Sequence, residues 1–522
     1  MKLGRPSAYG VTGAETAVFV SGVASMGLEI VAGRMVAPEF GSSIYTWGSI
    51  IGVFLAALSL GYYRGGKRAE RASDGRLVRL LLGTAGYVAV LVFAGDLLLE
   101  AAAVVPLPAR FASLPAVTLL FGPPTYLLGF ISPYAAELSR KEAVGEASGH
   151  VYAVGTVGSI VGAFGATFVL VPTLSVGSSN FVFGALLVVA AVLVDAPSPS
   201  RETVAGALVV SAALLGAVGA GAIGYTVEGE VVYGVQTPYQ ELRVVDSGDT
   251  RTLLLDGARH SAIDTSNPDR HVFGYTRYFH LPFVMADDPG GIDDVLFIGG
   301  GGFTGPRIFA DEYNVTVDAV EIDPEVIDVA ERYFGVEESG KLSIYNDDGR
   351  RFLRQTDERY DLIVLDAYKK DKVPFHMTTV EFMRLAESRL SEDGMLFMNL
   401  ISAPSGPASR FYRSEYRTVS RVFPSVYAFP TVGGGVVQNI EVVATKGDGR
   451  LTEETLRRRN GNRGIGYDLS GEIESLADAP PTQDVPVLRD DDAPVDSLLN
   501  PMVGQRYVIQ ETGAANATVG AG

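Results

Sequence analysis

Cysteine is absent from the 522 residues. That single absence excludes disulfides, thiolate metal centres and thiol nucleophiles. Only five histidines occur, at positions 150, 260, 271, 280 and 376. Their spacing matches no metal-ligand pattern, so no metal is expected. Lysine is scarce as well, supplying eight of the 42 basic residues, the rest being arginine. Basic patches interleaved with aromatics are missing, so nucleic acid is not expected as a partner. Acids exceed bases by 18, a bias that suits a halophilic surface kept soluble by dense carboxylates. An acidic site for cationic substrates is the alternative that this global bias leaves open.

The charge is unevenly placed. Residues 1–225 carry 13 basic and 12 acidic side chains, leaving 29 and 48 for the rest, a net charge near −19 there. The first part instead holds seven apolar runs, at about 12–33, 44–63, 77–98, 114–138, 151–172, 179–195 and 203–224. Each approaches or exceeds the roughly 18 residues that cross a hydrocarbon layer. Buried core helices would need polar faces at helical spacing, and SNFVFGALLVVAAVLV at 179–194 has none. Residues 1–225 are therefore read as an α-helical multi-pass transmembrane domain, with the lipid bilayer as a partner. No small-residue cleavage pattern follows the first run, which reads as a retained span. Glu15 and Glu29 lie in that span, either facing water, as transport or substrate access would need, or held near the interface or by Arg34. The small residues of GTVGSIVGAFGA at 155–166 read as helix packing.

Beyond 225 the patterns change. YQELRVVDSGDTRTLLLDG at 239–257 alternates around a Gly-Asp turn, so 226–291 is expected to form a small antiparallel β subdomain. From 292 to 446 strands alternate with helical patterns: strands at 294–298, 316–321, 341–345, 361–365 and 395–400, helices at 304–312, 324–334 and 378–390, and two closing β-rich runs at 426–432 and 439–446. That alternation predicts a Rossmann-like α/β domain with a parallel sheet. Residues 447–522, acidic and rich in Gly and Pro, form a C-terminal extension that is wrapped on the domain or partly disordered.

VLFIGGGGFTGPRIFADEYNVTVDAVEID at 295–323 carries the chemistry. It reads as a buried strand, a four-glycine turn, a helix, and a second strand ending in Glu321 and Asp323, which is the order of a nucleotide-binding βαβ unit. Gly299, Gly300 and Gly301 let backbone approach a ligand, and an acid at the next strand tip can accept both ribose hydroxyls. Two further loops follow strand ends and converge on the same rim. In NDDG at 346–349, Asp347 or Asp348, ahead of Gly349, can accept from an adenine amino group or serve as solvated turn acids. In DAYKKDK at 366–372, Asp366 follows an apolar strand and is aimed at the reaction space, a helix N-cap being its competing role.

These segments together resemble the polyamine aminopropyltransferases, the spermidine and spermine synthase family, and the whole chain resembles members fused to an N-terminal multi-pass domain. TPYQELRVVDSGDTRTLLLDGARHS, VEIDPEVI, NDDGRRFL, DAYKKDKVPFHMTTVEF and LRDDDAPVDSL carry the resemblance in the soluble part, and the stretch 26–70 carries it in the membrane part. It implies an S-adenosylmethionine-methyltransferase-type sheet and aminopropyl transfer from decarboxylated S-adenosylmethionine to an amine, with Asp366 as the base and Glu321 on the ribose. It further implies Tyr239, Gln240, His260, Tyr275, His280 and Asp371 on the amine side. S-adenosylmethionine itself is the other co-substrate considered, and a homodimer is left open.

The departures bear on the acceptor. Where the family has an Asp in its glycine loop, this chain has Gly302, and the second Asp of the catalytic loop is Lys369. The triplet Tyr-His-Glu becomes Gly274, Tyr275 and Thr276, and a Gln becomes His260. The acids that grip a diamine are thus replaced, and plain putrescine is not the expected acceptor. Methyl transfer, or a membrane transporter or sensor that has kept nucleoside binding without catalysis, are the alternative functions. For orientation, the basic loop 64–79 and Arg140 with Lys141 are assigned to the cytoplasm by the positive-inside rule, which with seven spans sets the soluble domain outside. A cytosolic nucleoside supply argues for the cytoplasmic side, which is the expectation retained, with 99–113 as the place for a further span.

Overall fold

The computed structural model describes residues 12–512, except 42–43, 104–106, 139–143, 222–224, 227–228, 371–372, 448 and 504. The chain divides into two compact units, Met1–Gly224 and Tyr225–Gly522.

Among the described residues of the first unit, seven helices are long and apolar enough to cross a membrane: Gly13–Phe40, Ile44–Gly66, Asp74–Gly95, Ser113–Glu137, Gly145–Thr173, Val176–Val194 and Arg201–Gly219. Among the described residues the 99–113 stretch adds no span: the third helix runs on to Ala103, and only a short 3-10 turn follows at Ala109–Phe111. The small residues at 155–166 do pack. A Cβ on Gly158 would stand 2.2 Å from the Phe19 carbonyl oxygen, and one on Gly162 would stand 2.3 Å from that of Val23. The first and fifth helices therefore touch backbone to backbone, which only small residues permit. Glu15 forms a capping box with Thr12 and lies 2.6 Å from His150 Nε2, while Arg34 donates to the Val171 carbonyl at 2.6 Å.

The second unit opens with a five-stranded antiparallel sheet in sequence order: β1 (Tyr225–Thr226), β2 (Gly229–Gln236), β3 (Glu241–Ser247), β4 (Thr250–Leu255) and β5 (Ala258–Asp264). Seven strands then form the main sheet: β6 (Asp294–Ile298), β7 (Thr316–Glu321), β8 (Leu342–Asn346), β9 (Tyr360–Leu365), β10 (Leu390–Ser402), β11 (Ser425–Pro430) and β12 (Gln438–Thr445). Their order is β11-β12-β10-β9-β6-β7-β8. The strands from β10 to β8 are parallel, and β12 and β11 join antiparallel. The chain steps from β6 outward through β7 to β8, then returns to β9 and builds the other half. That reversal leaves a crevice between the carboxyl ends of β6 and β9, where open α/β sheets bind ligands.

The core follows from alternation on fully buried strands. Val295, Phe297, Leu362 and Val364 face the aromatic cluster of Tyr275, Tyr278 and Phe279. Leu296, Ile298, Ile363 and Leu365 face the opposite side, with Phe382, Met383, Phe411 and Tyr412 from helices Val380–Arg389 and Arg410–Val419. Each such side chain contributes roughly 1.5–3 kcal/mol by leaving water.

Within 292–446 two helices, Gly349–Gln355 and Arg410–Val419, lie outside the sequence expectation, as does helix Glu453–Arg463 in the extension, and β10 is longer than 395–400. The described residues of the extension, which end at 512, are wrapped onto the domain. Arg459 and Arg463 donate to carbonyls of residues 283–287, and Asp490 receives Arg350 in a two-pronged pair together with Thr379 Oγ1.

Candidate active site

The ladder fixes which residues share one level. Val320 pairs with Ile298, Ile298 with Leu365, and Leu365 with Met398. One position further on, Glu321, Gly299, Asp366 and Asn399 therefore line up across the carboxyl ends. Asn399 pairs in turn with Glu441 across β10 and β12. Since their predecessors point to the side of helices Val380–Arg389 and Arg410–Val419, the side chains of Glu321, Asp366 and Asn399 point to the other face, toward the β subdomain.

The glycine turn is forced by its neighbours. Gly299 has φ +98°, and a Cβ there would lie 2.3 Å from the Asp366 carbonyl oxygen. Gly301 is also left-handed. A Cβ on Gly300 would strike the buried ring of Phe303, itself in the left-handed region at the head of helix Thr304–Glu312. The outcome is bare backbone over the sheet edge. Gly302 is hemmed in too, since a Cβ would come within 2.5 Å of Ser261 Oγ and 3.2 Å of the Phe334 ring. An aspartate cannot simply be restored there.

Glu321 is 8% exposed. It accepts from Gly300 N and Asp323 N, each at 2.9 Å. Burial raises its pKa, and these amides oppose the rise. Each oxygen keeps a free lone pair for a ribose hydroxyl. Asp323 is fully buried. It accepts from Thr237 Oγ1 at 2.7 Å, Gln240 Nε2 at 3.2 Å and Glu325 N at 3.2 Å, so it clamps the β subdomain to the sheet and caps a helix. Neither Asp323 nor Gln240, 6% exposed, is turned out to a ligand, whereas Tyr239 is exposed.

In the next loop Gly349 is required by packing, since a Cβ would lie 2.2 Å from Ile298 Cγ2. Asp348 caps helix Gly349–Gln355 through Arg351 N and meets His376 Nε2 at 3.0 Å. Asp347 is paired with Arg351 Nε. Both acids retain acceptor capacity toward an adenine amino group.

Asp366 accepts from Asn399 Nδ2 at 2.8 Å. Burial pushes its pKa up to about 6, against the opposing pull of Asn399. Tyr275, 7% exposed, lies in its field and donates to the His260 carbonyl at 3.1 Å. His260 is driven down to about 3, first by burial and then by the nearby Lys369 ammonium, and is neutral. Lys369 is not aimed freely at the site, because its Nζ lies 3.1 Å from Asp256 Oδ2, and Lys370 donates to the Gln505 carbonyl. His280 sits apart. It is fully buried, 3.0 Å from His271 Nε2 and 2.6 Å from the Tyr313 hydroxyl, stacked on Tyr467, and presents no surface to an amine. Asp371 lies outside the described residues.

Four polar residues on this face were not foreseen: Asn399, Asn439, Glu441 and Tyr507. Tyr507 donates to Asn439 Oδ1 at 2.7 Å, and Asn439 donates to Asn399 Oδ1 at 2.8 Å. With the Asn399 bond to Asp366, a chain of amides orients the carboxylate from the tail inward. Polar residues at alternate positions of the buried run QNIEVVAT were the available signal for 439 and 441. Nothing local marks Tyr507, which docks beside Val437 through a late segment of the tail.

A family model for the spermine/spermidine synthase domain matches residues 273–438. The polyamine aminopropyltransferase of Vibrio vulnificus is 29% identical over 208 residues, covering 38% of this chain and 67% of the relative. That of Lachnospira eligens is 30% identical over 199 residues, covering 37% and 67%. The crystal structure of spermidine synthase from Thermotoga maritima aligns with 47% of this chain and 84% of its own, at 22% identity and a TM-score of 0.38. The chain belongs to the spermine/spermidine synthase family, the polyamine aminopropyltransferases.

Proposed function

We propose that the second unit transfers an aminopropyl group from decarboxylated S-adenosylmethionine to an amine, and that the first unit holds it in a membrane. The observation that carries this reading is a buried carboxylate, Asp366, held by Asn399 one strand away and touching the glycine turn through its own carbonyl. A nucleoside laid on Gly299–Gly302 with its ribose on Glu321 has its sulfonium side turned to Asp366. There the amine nitrogen forms a bond to the methylene beside sulfur, the carbon–sulfur electron pair stays on methylthioadenosine, and the nitrogen's proton passes to Asp366. A base poised near 6 is ionised at neutral pH yet basic enough to take a proton. The acceptor differs from plain putrescine, since Gly302 and Lys369 stand at the two positions where the family carries gripping acids.

The test is release of methylthioadenosine by the full chain in detergent, with decarboxylated S-adenosylmethionine and a panel of mono-, di- and triamines. Release only in the presence of an amine is expected. Methylation of an acceptor from S-adenosylmethionine, or nucleoside binding with no transfer, would replace this reading.

Glu321→Ala should weaken methylthioadenosine binding by roughly 1.5–3 kcal/mol, the range for charged hydrogen bonds. Titration calorimetry on the full chain reads this directly, and unchanged affinity removes Glu321 from the ribose site.

For orientation we retain the cytoplasmic side on nucleoside supply. Glu474, whose side chain is 76% exposed, can carry a single cysteine in this cysteine-free chain. Intact cells should protect Glu474→Cys from a membrane-impermeant maleimide, with labelling only after lysis. Equal labelling before and after lysis places the domain outside, as the basic loops and seven helices favour.

A further inference from the structure

Glu441 is the outlying member of the row that runs from Glu321 through Gly299, Asp366 and Asn399. It is fully buried, and among the described residues neither of its carboxyl oxygens has a hydrogen-bond partner. Burying such a group is costly unless a cation or donors meet it. Its neighbours on the strand satisfy one another, since Asn439 both donates to Asn399 and accepts from Tyr507. The titratable groups that sense Glu441 are Asp366 and the phenols of Tyr275, Tyr278 and Tyr507. No cationic side chain is among them. Burial, with Asp366 adding to it, moves its pKa well above the carboxylate range.

Direction supplies the other half of the argument. In a displacement at carbon the nucleophile enters opposite the leaving group. The nucleoside sulfur leaves on the side of Glu321 and the glycine turn, so the amine approaches Asp366 from the side of β10 and β12. A carboxyl group without a hydrogen-bond partner among the described residues, which a bound ammonium would hold in its charged form, lies along that approach, two strands beyond Asp366. We propose that Glu441 binds a second ammonium of the amine acceptor, whose reacting nitrogen sits at Asp366. This rests on the aminopropyl-transfer reading and moves the grip lost at Gly302 and Lys369 to β12. Two strand spacings are roughly 10 Å, whereas the nitrogens of a 1,4-diamine stand roughly 6 Å apart by ordinary bond lengths. The favoured acceptor is therefore a linear amine whose second cation lies farther away, such as a 1,6-diamine or a triamine.

The experiment compares 1,6-diaminohexane, 1,4-diaminobutane and 1-aminohexane as acceptors for the full chain, reading methylthioadenosine release. The unaltered protein should favour the 1,6-diamine over the monoamine at least tenfold in kcat/KM. Glu441→Gln should erase that preference by raising the KM for the diamine, while the KM for the nucleoside donor and the melting temperature hold. Glu441→Asp, which keeps the charge, should retain part of it. Glu415, equally buried and without a hydrogen-bond partner among the described residues but on helix Arg410–Val419, is the control, and Glu415→Gln should leave the preference intact. Transfer with unchanged diamine preference in Glu441→Gln, an equal loss in Glu415→Gln, or a rise confined to the donor KM overturns the assignment to the acceptor. Failure of the unaltered protein to transfer to any of the three overturns the assignment to Glu441, and failure with triamines as well overturns the reading beneath it.

Discussion

Asp366→Asn should lower transfer by 10²- to 10⁴-fold, on the order of 3–5 kcal/mol of barrier, and leave methylthioadenosine affinity within about twofold. The amide keeps the shape of the carboxylate, and its oxygen can still accept from Asn399 Nδ2, a bond of 2.8 Å in the native site. What it loses is the capacity to take a proton from an ammonium at neutral pH. The same group predicts the pH profile of the unaltered protein. Its pKa is pushed up to about 6 by burial, so the base is ionised above that value and kcat/KM falls as pH drops through it. Asn399 donates to the charged form and stabilises it, so Asn399→Leu should raise the pKa and move this acid limb to higher pH. Normal turnover by Asp366→Asn, with any acceptor that the native chain uses, would reduce Asp366 to a structural residue.

Most of the site's frame was legible because its parts are local. A strand, a glycine turn, a helix and a terminal acid lie within 29 consecutive residues, and each has a local signature: apolar β-branched run, absent Cβ, helical spacing, carboxylate at a strand end. Helix Thr304–Glu312 and strands β6 and β7 accordingly fall at the expected residues. What was hidden depends on pairing between distant segments. That Lys369 is neutralised by Asp256, 113 positions away, is invisible in DAYKKDK, where two lysines simply suggest repulsion of a diamine. Asp323 looked like a ligand-facing acid beside Glu321, yet it lies past the end of β7 as the cap of the next helix, and the docking of Thr237 and Gln240 turns it inward. Gly302 read as the loss of an acid. The structure adds that Ser261 and Phe334 close the space an acid would need.

Gly299→Ala should abolish nucleoside binding, with at least a 100-fold loss of methylthioadenosine affinity, and should destabilise the second unit by roughly 2–5 kcal/mol. Two independent costs meet at this residue. Its φ of +98° is outside the range a Cβ-bearing residue adopts readily, and the added carbon would stand 2.3 Å from the Asp366 carbonyl oxygen, 2.7 Å from its carbonyl carbon and 3.0 Å from Ala367 N. All three are backbone atoms, so no rotamer change can relieve the contact. Either the turn lifts away from the sheet, which withdraws the amides of Gly300 and Gly301 and frees Glu321 from Gly300 N, or the end of β9 moves, which carries Asp366 off its bond to Asn399. Both routes disable the site, the first at the nucleoside and the second at the base. Gly433→Ala is the matched control, since nothing among the described residues lies within 4 Å of its added Cβ, and its melting temperature and affinity should match those of the native chain. A Gly299→Ala protein that binds methylthioadenosine with native affinity would mean that the nucleoside lies elsewhere than over this turn, because no arrangement of backbone leaves both the turn and the end of β9 in place around the new methyl group.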